Sequence, residues 1–216
     1  MPIRAVIFDL DGTLLDSLAD IAQAMNIVLR ERGFAEHPLD SYRAFVGDGV
    51  TLLVERALPP EGRESAEVAA CVDRMREIYG RCCSDLTRPY DGIAELLDAL
   101  VERGLPLAVL SNKPHDLTVR LVSELLAPWS FACVFGERAG VPRKPDPTSA
   151  REVAALLRVA PGECLYVGDT PTDMATANAA GMPSVGACWG FREAEELRNA
   201  KAGALASTPA EVLDLL

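Results

Sequence analysis

Strand-like and helix-like segments alternate from residue 89 to the end of the chain. The short apolar runs at 107–110 and 165–167 are typical of strands covered on both faces, and stretches with helical spacing of apolar residues separate them. Such alternation predicts an α/β fold, a Rossmann-like parallel sheet with helices on both faces. The predicted elements are helix 91–103, strand 105–110, a helix ending near 126, strand 131–135, helix 147–159, strand 164–167, helix 171–180, strand 183–186, a helical patch at 193–198 and a last helix capped by Thr208.

The segment 16–82 has a different pattern, because it contains helical signals and no strand signal. Ser17 and Asp20 resemble a capping box before a helix that stops at Gly33, and further helices are predicted at about 50–58 and 64–82. We therefore expect two domains. Residues 1–15 and 83–216 form the α/β core, and residues 16–82 form a small all-helical cap inserted after the first strand.

The first predicted strand ends in two acidic residues. Asp9 and Asp11 follow the apolar run 6–8, and residues two apart on a strand point to the same side. Two carboxylates this close repel each other unless a cation compensates, and a hard cation such as Mg²⁺ prefers oxygen ligands. The alternative is an ordinary strand followed by an Asp-Gly turn with solvated acids.

Charge and cysteine spacing limit the possible partners. Lys and Arg total 21 against 32 Asp and Glu, a net charge of −11, which argues against binding to nucleic acid or an anionic membrane. The 6 cysteines form no C-x-x-C pair and fit a reducing compartment. With no signal-peptide pattern and no apolar stretch of membrane-spanning length, we expect a cytoplasmic protein.

Polar residues collect where the predicted strands end. Ligands of parallel α/β sheets bind beyond the carboxyl ends of the strands, so these residues are candidates for one site: Asp9, Asp11, Ser111, Asn112, Asp169 and Asp173, with Lys144 on a loop before a helix. Each also has an ordinary structural interpretation. Asp173 and Ser111 suit helix starts, and most lysines are solvated. A third acid near Asp9 and Asp11 makes a cation site the better interpretation.

In this order the residues resemble the four motifs of the haloacid dehalogenase-like phosphohydrolase superfamily. The motifs are Asp9-Leu10-Asp11-Gly12-Thr13, Ser111, Lys144, and Gly168-Asp169 with Asp173. Within that superfamily, residues 8–17, the Val46-Gly47-Asp48-Gly49 turn and Ser111-Asn112-Lys113-Pro114 are most similar to phosphoglycolate phosphatases. The resemblance implies a Mg²⁺-dependent phosphatase that hydrolyses a small phosphorylated metabolite, with 2-phosphoglycolate as the expected substrate.

The resemblance also implies a role for each motif residue. Asp9 is the expected nucleophile that forms an aspartyl-phosphate, and Asp11 the expected general acid and base. The expected phosphate-binding residues are Thr13, Ser111, Asn112 and Lys144. The expected metal residues are Asp9, Asp11 through its carbonyl, and Asp169, with Asp173 ligating through water or bracing Lys144.

Several alternatives stay open on the sequence. A dehalogenase would need neither a metal nor Asp11, a sugar-phosphate mutase often lacks the threonine at position 13, and a non-enzymatic scaffold would have lost a motif residue. Alternative substrates are other small phosphate monoesters, a phosphosugar or pyrophosphate. In the cap, Arg43 could pair with a substrate carboxylate and Gly47 and Gly49 could form a tight turn over it, although Asp48 would repel a carboxylate. The sequence does not decide between a monomer and a homodimer.

Overall fold

The computed structural model describes residues 2–216. Its strands, in chain order, are β1 Ala5–Phe8, β2 Leu15–Asp16, β3 Arg88–Pro89, β4 Leu107–Pro114, β5 Phe131–Glu137, β6 Cys164–Gly168, β7 Ser184–Ala187 and β8 Ala204–Ala206. Its α-helices are α1 Leu18–Glu31, α2 Ser41–Phe45, α3 Val50–Ala57, α4 Ser65–Cys82, α5 Ile93–Glu102, α6 His115–Leu125, α7 Thr148–Leu157, α8 Pro171–Ala180 and α9 Ala194–Asn199. Short 3₁₀ helices cover Pro60–Gly62, Pro161–Glu163 and Pro209–Leu215.

Six strands form one parallel sheet in the order β5-β4-β1-β6-β7-β8. The chain builds outward from β1 to β4 and β5, then returns to the other side of β1 for β6, β7 and β8. Strand β1 therefore lies at the point where the order reverses, the usual place for a ligand site in such sheets. The predicted parallel α/β sheet is confirmed.

Alternate residues of each central strand pack on opposite faces of the sheet. Val6 and Phe8 of β1 belong to one apolar cluster, which includes residues of α5 and α6, while Ala5 and Ile7 belong to the other, which includes residues of α7 and α8. All four residues are fully buried. Burial on both faces explains why the strands are continuous apolar runs without polar alternation.

Residues 17–82, here called the cap segment, contain helices α1 to α4 and lie over the carboxyl end of the sheet. The chain connects the cap segment to the sheet at two places, and there β2 and β3 pair as a short antiparallel ribbon. The helical patterns did not predict this strand pair. The buried carboxylate of Asp20 accepts hydrogen bonds from the backbone amides of Leu86 and Thr87. These bonds attach the connection that precedes β3 to helix α1. The domain boundaries at 16 and 82 stay a prediction.

The structure corrects four local predictions. Strand β4 continues through Ser111 and Asn112 to Pro114, where we predicted a helix start, and β8 was not predicted. Ser17 makes no capping hydrogen bond, because its hydroxyl donates to Asp11 instead. The side chain of Thr208 does not cap the terminal helix, which is 3₁₀. Within residues 2–216, no helix combines the length and apolarity needed to cross a bilayer.

Candidate active site

The carboxyl ends of β1, β4 and β6 meet below the cap segment and carry the motif residues. Asp9 directly follows β1, Ser111 and Asn112 lie in β4, and Asp169 directly follows β6. β1 is hydrogen-bonded to both neighbouring strands, so residues that are about 100 and 160 positions apart in sequence become neighbours. The sequence-predicted site is brought together by this sheet edge.

Three buried carboxylates form the centre of the site. Oxygens of Asp9, Asp169 and Asp173 all lie within 4.8 Å of one another. The ammonium group of Lys144 reaches into the cluster, 3.0 Å from Asp9 Oδ1 and 2.7 Å from Asp173 Oδ1, and its side chain is only 2% exposed. One cation therefore faces three acids, and the cluster keeps an excess of negative charge.

Burial, followed by the charges of the neighbouring acids, shifts the pKa values in this cluster. Burial, together with the charge of Asp173, raises the pKa of Asp9 from 3.8 to about 7 against the opposing effect of Lys144. Burial and the neighbouring Asp173 and Asp9 also raise the pKa of Asp169 well above its ordinary value. Burial opposes the charge on Lys144, but Asp173 and Asp9 outweigh burial and raise its pKa. The protein alone does not neutralise the three acids.

The donor set fits a hard divalent cation. Each of the three acids offers carboxylate oxygen, the ligand type that Mg²⁺ prefers, and soft sulfur or imidazole ligands are absent from the cluster. A divalent cation would compensate the negative charge of the three acids that Lys144 does not balance. Asp173 accepts hydrogen bonds at both oxygens, from Lys144 and from Thr170, so its carboxylate braces the Lys144 ammonium group.

Neighbouring groups fix the orientation of Asp169. The Thr13 hydroxyl donates to Oδ1 at 3.0 Å, and the backbone amide of Phe191 donates to Oδ2 at 2.8 Å. Thr13, which we predicted to bind phosphate, is fully buried and contacts the acid in this way. Gly12 has a φ of +85°, and a Cβ there would collide with the Asp169 carboxylate, so the motif needs glycine at this position.

The Asp11 carboxylate lies outside the cluster of three acids. It accepts a 2.6 Å hydrogen bond from Ser17 Oγ and two 2.8 Å bonds from Lys113 Nζ, one to each oxygen. Lys113 Nζ also donates to the Tyr79 hydroxyl at 2.8 Å and lies 4.5 Å from the centre of that ring. The network joins the predicted acid and base to the cap segment, since Tyr79 belongs to α4.

Ser111 and Asn112 line the cavity above Asp9. The Ser111 Oγ accepts a bond from the Lys113 amide at 3.3 Å. The Asn112 side chain accepts from the backbone amide of Lys144 at 2.9 Å and donates to the carbonyl of the same residue at 3.1 Å. Asn112 therefore holds the backbone at Lys144 in position. The sequence does not predict this role.

The cavity above Asp9 has a volume of about 70 Å³. Because one water molecule needs about 10–15 Å³ of such space, the cavity accepts only a small ligand. Polar residues from the sheet edge form its floor, and mainly apolar side chains from the cap segment and α6 form its walls. The wall residues are Ile21, Val46, Val50, Leu53, Met75, Tyr79 and Leu117, with Arg76 among them.

The predicted cap residues separate into two groups. Gly47 and Gly49 line the cavity, with φ values of +123° and +94°. A Cβ on Gly49 would come within 2.6 Å of the Arg143 guanidinium, so glycine allows this turn to approach the core. Arg43, however, lies outside the cavity, where its guanidinium donates to the Gly190 carbonyl at 3.0 Å. It is not placed to contact a ligand above Asp9.

Asp48 does not create the repulsion that its sequence position suggested. Its carboxylate pairs with Arg56 at 2.6 Å and accepts a hydrogen bond from the Thr172 hydroxyl in α8, away from the cavity above Asp9. The hydrogen bond from Thr172, with help from Arg56, outweighs burial and lowers the pKa of Asp48. Asp48 therefore connects the cap segment to the core.

Sequence reasoning missed three side chains of the cavity: Lys113, Tyr79 and Arg76. Lys113 follows Ser111 and Asn112 directly, but its role was hidden because a helix was expected there. Tyr79 and Arg76 occur in a helix whose orientation over the sheet depends on the cap segment as a whole, and no local signal identifies them.

Comparisons with known proteins place the chain in a family. The family model described as "Haloacid dehalogenase-like hydrolase" matches residues 6–187. A phosphoglycolate phosphatase of Xylella fastidiosa (strain 9a5c) is 35% identical over 195 residues, covering 89% of this chain and 83% of that protein. A phosphoglycolate phosphatase of Aquifex aeolicus (strain VF5) is also 35% identical, over 87% of this chain and 86% of that protein.

Solved structures share the fold over the whole chain. A protein of Lactobacillus delbrueckii subsp. bulgaricus superposes with a TM-score of 0.92 at 30% identity, covering 100% of this chain and 98% of its own. A haloacid dehalogenase-like family protein of Streptococcus pneumoniae superposes with a TM-score of 0.89 at 24% identity, covering 99% and 98%. The second similarity is at the level of fold.

Proposed function

Because this chain belongs to the haloacid dehalogenase-like hydrolases and is a phosphatase, we propose that it hydrolyses 2-phosphoglycolate to glycolate and phosphate through a phosphorylated Asp9, with Mg²⁺ as cofactor. The observation that carries the proposal is the buried group of Asp9, Asp169 and Asp173 around Lys144 at the floor of a small cavity. Asp9 is the only one of the three acids that lines this cavity, so it is the one that meets a ligand.

In the first step, an Asp9 carboxylate oxygen attacks phosphorus while the bond from phosphorus to the substrate alkoxide breaks. The departing alkoxide takes a proton from Asp11, so that it leaves as an alcohol. In the second step, Asp11 takes a proton from water, the water oxygen bonds to phosphorus, and the bond between phosphorus and Asp9 breaks. Phosphate leaves, and both aspartates return to their starting state.

Asp11 lines the same cavity as Asp9, but Ser17 and Lys113 hold its carboxylate in the observed position. Proton transfer therefore requires that the Asp11 side chain exchange these partners for the leaving oxygen. Lys113 and Tyr79 are positioned to control this exchange, because Lys113 contacts both Asp11 and the cap segment.

The remaining residues handle charge and orientation. Lys144 offsets the negative charge that Asp9 and the phosphoryl group share, and Ser111 with the backbone of Asn112 can donate to phosphoryl oxygens from β4. Asp9, Asp169 and the Asp11 carbonyl are the proposed Mg²⁺ ligands, with Asp173 bracing Lys144. When bound, the ion supplies further charge neutralisation.

The substrate assignment is supported by the relatives named phosphoglycolate phosphatase and by the size of the cavity, which suits a two-carbon phosphate monoester. The proposed partner is accordingly a small phosphorylated metabolite. A dehalogenase would need neither a metal nor Asp11, whereas this site has Asp11 at the cavity and three acids that could hold a metal ion.

The test is steady-state hydrolysis of a panel of phosphate monoesters, including 2-phosphoglycolate and p-nitrophenyl phosphate, with Mg²⁺ or with EDTA. We expect EDTA-sensitive phosphate release with the highest kcat/KM for 2-phosphoglycolate. Asp9→Asn should abolish turnover, whereas Asp16→Asn, which removes an exposed acid nearby, should not. Absence of EDTA-sensitive turnover in folded protein would refute the catalytic assignment, and a better substrate would refute only the choice of substrate.

A further inference from the structure

Arg76 occupies a position in the cavity that no motif explains. It lies on α4, next to Met75 and one helical turn before Tyr79, and all three residues line the cavity above Asp9. Met75 and Tyr79 are buried, whereas Arg76 is exposed. Arg76 therefore lies at the rim of the cavity, on the side of the cap segment.

The cations near the cavity differ in whether they can accept a new partner. The lining contains two, Lys113 and Arg76. An ammonium group has three N–H donors, and Lys113 uses all of them, two on Asp11 and one on Tyr79. Within residues 2–216, the salt bridges and side-chain hydrogen bonds of the arginines on this helix involve Arg74 and Arg81 but not Arg76. Of these two cations, only Arg76 has donors available for a ligand.

The other arginines of the same helix are paired. Arg74 contacts Glu31 and Glu77, and Arg81 contacts Glu77. In a chain with a net charge of −11, an arginine without an acidic partner stands out from its neighbours. A guanidinium with five donors suits a carboxylate, which it can bind through two parallel hydrogen bonds.

We propose that Arg76 is a specificity-determining residue that binds a carboxylate on the alcohol part of the substrate. This inference rests on the proposed function, and it defines the substrate class as phosphate monoesters whose alcohol carries a second anionic group. With the phosphoryl group beside Asp9, the rest of the ligand extends between the apolar walls toward the rim, where Arg76 receives its charged end. Arg76 thus takes the role that the sequence suggested for Arg43, because Arg43 donates to the Gly190 carbonyl outside the cavity.

The experiment compares two substrates of equal carbon number, 2-phosphoglycolate and ethyl phosphate, which differ by the carboxylate. We expect Arg76→Ala to raise KM for 2-phosphoglycolate about tenfold or more, with kcat little changed, because a charge-assisted hydrogen bond is lost from ground state and transition state alike. KM for ethyl phosphate should stay within about twofold. Arg76→Lys should recover part of the loss, because it keeps the charge.

Arg81→Ala is the matched control, since Arg81 is an exposed arginine of the same helix that does not line the cavity. It should leave both substrates unaffected. Equal changes for both substrates in Arg76→Ala, or no change for either, would overturn the inference while leaving the phosphatase assignment intact. Absence of turnover of either substrate by the wild-type protein would instead overturn the proposed function, and the inference with it.

Discussion

Replacing Asp9 with Asn is expected to stabilise the metal-free protein at alkaline pH while abolishing its activity. Burial and the charge of Asp173 raise the pKa of Asp9 from 3.8 to about 7 in the folded protein. Between these two values the folded state binds more protons than the unfolded chain, so the free energy of unfolding falls as pH rises and levels off above about 7. One pH unit corresponds to about 1.4 kcal/mol, so the loss between pH 5 and pH 8 is about 3 kcal/mol.

The assay is urea unfolding of wild type and Asp9→Asn in EDTA at pH 5 and pH 8. Titrating groups outside the acidic cluster are common to both proteins and cancel in the comparison. The Asp9 charge also raises the pKa of Asp169, and losing that effect acts in the same direction, so the variant should gain about 3 kcal/mol or more relative to wild type between the two pH values. Asp16→Asn, at an exposed position, should show no such gain. If wild type and Asp9→Asn keep the same difference at both pH values, the raised pKa that burial and Asp173 give to Asp9 is wrong.

Three further predictions concern the contacts around the site. Lys144→Met should abolish turnover and lower the free energy of unfolding by about 3–5 kcal/mol in urea, because it leaves buried acids unpaired; unchanged stability would contradict this. Thr13→Val should weaken Mg²⁺ binding about tenfold or more in a calorimetric titration, since Asp169 loses its hydroxyl donor; equal affinity would show that the bond is unimportant. Arg192→Ala removes the donor to the carbonyls of Arg43 and Val46, and should speed hydrogen exchange in α2 without changing exchange in the sheet; unchanged exchange in α2 would refute that role.

The sheet and the acidic centre could be predicted from the sequence because both depend on local patterns. Apolar runs followed by helical spacing indicate β1, β4 and β6, and the carboxyl ends of neighbouring parallel strands meet at one edge. The acids that follow these strands therefore had to converge, and the structure places Asp9, Asp169 and Asp173 within 4.8 Å.

The partners of the polar side chains could not be predicted, because they depend on contacts between distant segments. Asp11 binds Lys113, which is 102 residues away, and the Arg43 guanidinium donates to Gly190, which is 147 residues away. The sequence shows that Arg43 lies in the cap segment but not which way the helix faces. Asp48 is the clearest case, since a residue expected to repel a ligand contacts α8 instead.

The most direct test of the proposed mechanism is chemical trapping of a phosphorylated Asp9. Wild-type protein with Mg²⁺ and 2-phosphoglycolate would be quenched during turnover, reduced with borohydride, and digested for mass spectrometry. An acyl phosphate on Asp9 would be reduced to a homoserine side chain at position 9, and Asp9→Asn would give no such product. Modification at another aspartate, or turnover without any reducible acyl phosphate, would contradict the assignment of Asp9 as the nucleophile.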